Sequence, residues 1–198
     1  MTRRYTICLA ALALLWFAPT AIAARQAAPS WKIDSAHSKV TFTVTKWGFV
    51  EVEGRFRDFT GTLNYDAAHP ERSQISWSVR VATVDTGEGA RDHALQGPEY
   101  FDAARNPEMS FVSTAVRSIG AGLLEVAGAM TIRGVSKPVT VQVRYGGRRQ
   151  IPDIGAMDIF QTTFTINRYD FGIVGGSVLG PVISKEVKVT LIAASRPA

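Results

Sequence analysis

The chain has 198 residues, with 22 Lys and Arg against 17 Asp and Glu and a formal net charge of +5. That length fits one domain. The basic residues are scattered, and the only tight pair, in "GGRRQ" at 146–150, reads as a solvated turn. Nucleic-acid binding concentrates charge in a stripe with aromatic platforms, so no nucleic-acid partner is expected. The charge leaves room for no more than transient contact with an anionic membrane surface.

The N-terminus carries the three parts of a secretory signal: Arg3 and Arg4, an apolar run from Ile7 to Ala18, and Ala21-Ile22-Ala23. The run is short of the ~20 residues a spanning helix needs. Cleavage near Ala23 is expected, which places the protein in the periplasm with residues 24–30 as a flexible mature N-terminus. Cys8, the sole cysteine, leaves with the signal. An exported chain without disulfides has to be held by its core.

From residue 31 onward, period-two alternation recurs. "KVTFTVTKW" (39–47) sets Val40, Phe42 and Val44 against Thr41, Thr43 and Thr45. "FVEVEGRFRDFTGTLNYD" (49–66) is long for one strand, and Gly54 and Gly61 are its expected bends. "SQISWSVRVATV" (73–84) places Ile75, Trp77, Val79 and Val81 on one face. "EMSFVSTAVRSI" (108–119), "LLEVAGAMTI" (123–132), "KPVTVQVRY" (137–145), "DIFQTTFTINRY" (158–169) and "KEVKVTLIAA" (185–194) complete eight segments bounded by turn residues. Pro138 falls near the start of its strand, where a missing N–H is tolerated. An all-β, eight-stranded antiparallel fold follows. The tight links favour an up-and-down barrel and leave a sandwich open. Crossover helices for a parallel sheet are absent from the pattern.

One long connection interrupts the meander. In "DTGEGARDHALQGPEYFD" (85–102), Asp85 and Glu88 have capping-box spacing, Ala90, Ala94 and Leu95 share a helical face, and Gly97-Pro98 is a stop. A helix of two or three turns is predicted, with its apolar edge over an open barrel end. Arg91 and Asp92 are expected to anchor it as an ion pair or cap.

The stretches "WKIDSAHSKVTFTV", "VEGRFRDFTGTLNYD", "ARDHALQGPEYFDAARNPEMSF", "VAGAMTIRGVSKPVTVQV" and "FTINRYDFGI" together resemble the YceI family of exported, lipocalin-like proteins. The likeness runs from Trp31 to the C-terminus. It implies an eight-stranded antiparallel barrel with a helical insertion between the third and fourth strands, and a long apolar cavity holding a polyisoprenoid-type lipid. The residues matching the family's motifs are Asp34, His37 and Ser38; Gly54, Phe56, Phe59 and Gly61; Arg91, Asp92 and Leu95; Phe101, Asp102, Pro107 and Phe111; Gly134, Lys137 and Pro138; and Arg168, Phe171 and Gly172. Two departures stand out. Trp47 occupies the place of a histidine common in relatives, and His93 comes one residue early, with Ala94 in the usual histidine position. An indole at 47 suggests a more apolar cavity mouth.

Enzyme chemistry finds little foothold. His37, His69 and His93 lie far apart in the chain, and H-x-H, H-E-x-x-H, paired cysteines and G-x-S-x-G are all missing. No catalytic residue, metal site or catalytic cofactor is expected. His37 reads as a structural residue whose ring hydrogen-bonds the backbone at the barrel start. The better candidates are aromatic and aliphatic side chains, proposed to line a ligand site: Phe42, Val44, Trp47, Phe56, Trp77, Val79, Leu95, Tyr100, Phe101, Phe111, Met130, Phe164, Ile166 and Phe171. The small residues Ala127, Gly128 and Ala129 suggest room for a cavity. The resulting expectation is a periplasmic protein, monomer or homodimer, that binds, carries or sequesters a long apolar lipid such as an isoprenoid quinone or polyprenyl lipid. The alternatives are a stress-related scaffold with incidental lipid, or an enzyme acting on a small amphiphile.

Overall fold

The computed structural model describes residues 31–197. The expected signal peptide and the segment 24–30 lie outside the described residues. The elements in chain order are β1 (Trp31–Ile33), β2 (Lys39–Lys46), β3 (Val50–Phe56), β4 (Phe59–Asn64), β5 (Gln74–Arg80), β6 (Val84–Asp85), α1 (Gly89–Gln96), β7 (Glu108–Gly120), β8 (Leu123–Ile132), β9 (Val135–Ile151), β10 (Gly155–Asn167) and β11 (Glu186–Pro197). The pairings between them are antiparallel, and they close on themselves because β1 pairs with both β4 and β11. This is a closed eight-stranded barrel, not a sandwich. Eight staves arise from eleven strands because three staves are broken: β1 with β2, β3 with β4, and β5 with β6. Sequence distance is no guide to closure, since Lys39 faces Ile192 across the β2–β11 seam.

The breaks fall where the chain has other uses for its backbone. The β3–β4 break is at Arg57–Asp58, not at the glycines expected to bend it. Gly54 and Gly61 sit within the strands as points of close approach instead. A Cβ at Gly54 would run into the Phe42 ring, and one at Gly61 would lie 2.6 Å from the Ser76 carbonyl oxygen. The neighbouring stave breaks at the same level, with a 3-10 turn at Val81–Thr83, so the predicted strand 73–84 is two strands. Across the gap the Arg80 N–H donates to Asp58 O at 2.9 Å, and the Arg57 N–H to Thr83 O at 3.2 Å.

"GGRRQ" is not a turn. It lies in β9, which runs to Ile151, and the register with β10 shifts between Ile159 and Phe160, opposite Gly146. The strand persists because Arg148 has a buried partner. Its guanidinium donates to both carboxylate oxygens of Asp158, at 3.0 and 2.8 Å, and the Tyr145 hydroxyl donates to the same group at 2.8 Å. Burial and the hydrogen bond to Asp158 push the Tyr145 hydroxyl up to about 12. Tyr65, Tyr145 and Phe160 pack ring to ring at centroid distances of 4.8 to 5.4 Å, and Arg148 lies 4.3 Å over Trp31. This end of the barrel is filled. Pro138 is the fourth residue of β9, at a level where β9 is paired with β8 and not yet with β10.

Candidate functional site

The opposite end is hollow. In β8 burial alternates without exception, Leu124, Val126, Met130 and Ile132 being buried on the inward face. In β2, by contrast, the inward residues Phe42 and Val44 are only half-buried. Both stand against a cavity of about 430 Å³. Its wall draws Phe42 and Val44 from β2, Phe56 from β3, Trp77 and Val79 from β5, Met130 from β8, and Phe164 and Ile166 from β10. The insertion contributes Leu95, Tyr100 and Phe101. Polar and charged groups on the wall are few, chiefly Thr41, Lys46, Thr86, Glu88, Arg91 and Arg168. An apolar cavity of this kind excludes water and suits a hydrocarbon.

Trp77 is the floor. A second void of about 50 Å³ lies deeper, lined by Leu63, Ile75, Val126, Phe160 and others, and a third of about 10 Å³ adjoins it. Trp77 borders all three. It is held there by Phe111, whose ring stacks on the indole at 6.1 Å and 19°. Phe111 in turn lies against Gly128, where any Cβ would collide with its ring and approach the Val112 carbonyl oxygen to 2.5 Å. Gly128 therefore does not mark empty space, as the small-residue run suggested; it accommodates Phe111. Ala127 and Ala129 are off the inward face.

Helix α1 flanks the cavity mouth with its Ala90, Ala94 and Leu95 face on the wall. Its N-cap is Glu88, not Asp85: the Glu88 carboxylate accepts from the N–H groups of Ala90 at 2.9 Å and Arg91 at 2.8 Å. Asp85 is drawn away by Arg55 and Arg57, which donate to its Oδ2 at 2.7 to 2.9 Å, and by the Gly87 N–H. Arg57, Arg55 and that N–H hold the Asp85 carboxyl down at about 2. Arg91 and Asp92 do not pair with each other. Both grip Thr86, whose hydroxyl donates to Asp92 at 2.6 Å and accepts from Arg91 Nε at 2.7 Å. Asp92 also accepts from the Thr86 N–H, and Arg91 donates to the Thr86 carbonyl. The helix is thus clamped to the segment that leads into it. The Phe101 ring meets Phe56 edge-on at 5.8 Å, which pins the returning chain to the barrel.

The far side of the mouth is tied down by Arg168. This guanidinium is 4% exposed, borders the cavity, and is solvated by oxygens of the chain itself. Four backbone carbonyls accept from it, those of Ser184, Ile173, Gly180 and Ile183, at 2.7 to 3.1 Å, and the Tyr169 hydroxyl is 3.3 Å away. The arginine of the "R-x-x-F-G" motif therefore gathers segment 173–184 around itself. A buried charge depends on such partners.

Three of the expected ligand-lining residues are placed elsewhere. Trp47 is 56% exposed and off the cavity wall. It occupies a left-handed position, φ +55°, in the β2–β3 turn, which turns its side chain outward, and the Lys46 ammonium lies 4.1 Å over its ring. Phe111 lines the deeper void as the support of Trp77. Phe171 is buried in the core but does not face the cavity. Conversely, Val52, Met109, Ile132, Ile173, Ile183, Val187 and Val189 are on the wall and were not singled out. Alternation on β3, β8 and β11 would have found several of them; Ile173 and Ile183 are in irregular chain and leave no periodic signal.

The histidines are dispersed. His37 faces the Asp34 carboxylate at 3.4 Å, not the backbone, with its ring half-exposed. Burial opposes the Asp34 charge, but His37, the Ala36 N–H and Arg196 together hold its carboxyl below the usual range. His69 belongs to a turn whose N–H donates to Asp66, and His93 is exposed on α1. Among the described residues no three of His, Cys, Asp or Glu are grouped to hold a metal ion.

A closed antiparallel barrel with one short helix at the mouth of an apolar cavity is the architecture of lipocalin-like proteins. Residues 31–194 match the YceI-like domain, and the chain belongs to that family. It is 37% identical over 142 residues to a UPF0312 protein of Pseudomonas savastanoi, covering 72% of this chain and 74% of the relative. A UPF0312 protein of Pseudomonas putida is 34% identical over 164 residues, covering 82% and 85%. Among solved structures, BcnA of Burkholderia cenocepacia superposes with a TM-score of 0.76 at 26% identity, covering 83% of this chain and 99% of that one. A polyisoprenoid binding domain from Saccharophagus degradans superposes with a TM-score of 0.66 at 16% identity, covering 86% and 99%, a likeness of fold.

Proposed function

We propose that this protein binds a long apolar lipid, of the polyprenyl or isoprenoid-quinone class, in the barrel cavity, and carries or sequesters it in the periplasm. The observation that carries the reading is the cavity itself: about 430 Å³ walled by Phe42, Val44, Phe56, Trp77, Phe164 and other apolar side chains, with polar groups near the mouth. A packed interior avoids voids, so a hollow of this size is best explained by an occupant. The Saccharophagus domain, a polyisoprenoid binding domain of the same fold, supports the class of ligand. The basic, apolar and A-x-A pattern of residues 1–23, that of an export signal, supports the compartment.

The test is native mass spectrometry of protein purified from its own periplasm, followed by organic extraction of the bound material. The expected result is one prenyl lipid per barrel at near-full occupancy. Protein that emerges free of lipid and fails to take up a prenyl quinone would refute the reading and leave the barrel as a scaffold.

A further inference from the structure

The large apolar side chains that remain exposed are not spread evenly. Of the nine among the described residues, Trp47 and Phe49 belong to the β2–β3 turn, and Tyr169, Val174, Val178 and Leu179 to the segment after β10. These two stretches are bound to each other. The Trp47 N–H donates to Val182 O at 2.8 Å, the Ser184 N–H donates to Thr45 O at 2.7 Å, and Lys46 forms a β-bridge with Ile183. Arg168 fastens the second stretch from beneath through the carbonyls of Gly180 and Ile183. The apolar tips thus stand on a braced platform. Phe49 is 78% and Val178 80% exposed.

The platform is also the rim of the cavity. Lys46, Leu179 and Ile183 line the hollow from within, while Trp47 and Val178, next to them in sequence, point away from it. We propose that this rim is a membrane-docking surface that inserts Trp47, Phe49 and Val178 into the interface of a phospholipid bilayer and brings the cavity mouth to the acyl region.

Three features select a bilayer over a protein partner. The patch is two short tips, whereas a stable protein interface uses about 20–30 residues a side. Its chemistry is that of the interfacial belt, aromatic rings with polar edges and a Lys46 ammonium stacked on Trp47. The third feature rests on the lipid-binding reading above: a rim continuous with the cavity lets an apolar ligand pass into lipid without crossing water. The charges close by in the chain carry no positive excess, Lys46 and Lys185 standing against Glu51, Asp170 and Glu186. Apolar insertion, not attraction to anionic lipid, is therefore the driving term.

The experiment is vesicle flotation of the mature protein with pure phosphatidylcholine vesicles and with vesicles containing one-fifth phosphatidylglycerol, each at low and high salt. It compares wild type with the double variant Phe49→Ser, Val178→Ser. Neither residue lines the cavity, so lipid content by organic extraction serves as the control for an intact barrel and fails separately if the cavity does not hold lipid. The expected result is flotation with both vesicle types, changed less than about twofold by salt, and weakened about tenfold or more in the double variant. Three results would overturn the proposal: no flotation of wild type, equal flotation of a double variant whose barrel is intact, or flotation seen only with anionic vesicles and abolished by salt. A concentration-dependent dimer that disappears in the double variant would also overturn it, assigning the rim to a second copy of the chain.

Discussion

Shortening Trp77 should change which ligands fit. The indole borders both the 430 Å³ cavity and the 50 Å³ void beneath it, together with Met130 and Phe164. Trp77→Ala fuses the two and adds the volume of the ring. Large aromatic truncations in a core cost about 3–5 kcal/mol, a sizeable part of the 5–15 kcal/mol that holds a typical domain. For a chain of this size that corresponds to a fall in Tm of roughly 6–20 °C. Trp77→Leu keeps the site apolar, should cost less, and still opens the floor.

Ligand length is the informative readout. Both variants, offered an equimolar ladder of polyprenols, should retain longer chains than wild type does, measured by native mass spectrometry. A longer chain should also restore more of the lost Tm in the variants than in wild type, since ligand stabilises in proportion to its affinity for the folded state. A Trp77→Leu protein that folds, melts lower as expected, and selects the same chain lengths as wild type would refute the assignment of Trp77 as the floor.

Other positions give independent checks. Leu95→Ala should lower stability toward the low end of the ~2–5 kcal/mol range for such truncations and reduce bound lipid, while His93→Ala, at an exposed site, should leave both within error by melting and extraction. Gly128→Ala should destabilise by about 1–3 kcal/mol in denaturant titration, because its Cβ meets the Phe111 ring that Trp77 holds in place, and a neutral result would mean that ring is free to move. Arg168→Met strands four carbonyls and should cost about 3 kcal/mol or more, with amide exchange rising first at Gly180, Val182 and Ser184; uniform exchange would deny it the role of a local tie. The Asp85 carboxyl is held at about 2, below the value of about 3.9 for an unfolded chain. Its contribution to stability is therefore complete above the unfolded value and is lost as pH falls toward 2. Side-chain carboxyl NMR should show a midpoint near 2, and a midpoint near 4 would remove the arginine clamp.

Strand identity and facing were legible in the sequence because the side-chain period in a strand is a local property. Phe42 and Val44, Trp77 and Val79, and Phe164 and Ile166 share faces by alternation alone, and the structure places all six on the cavity wall. The insertion was legible for the same reason, through its change of period and its Gly97-Pro98 stop. What the chain could not show in one dimension was which partner each polar group would find. Asp85 has the spacing of a helix cap, but β3 and the break that follows it bring Arg55 and Arg57 against it. "GGRRQ" looked like a turn until β10 offered Asp158 to Arg148. Trp47 is in phase with Thr43 and Thr45, on the outward side; only the family's histidine at that place pointed to the cavity mouth, and the turn that ends β2 leaves the indole exposed. Whether an inward face is filled or hollow is likewise decided by tertiary structure. It depends on volumes contributed by strands such as β2 and β11, about 150 residues apart in sequence, and by Trp77, which divides the interior only because Phe111 and Gly128 hold it there.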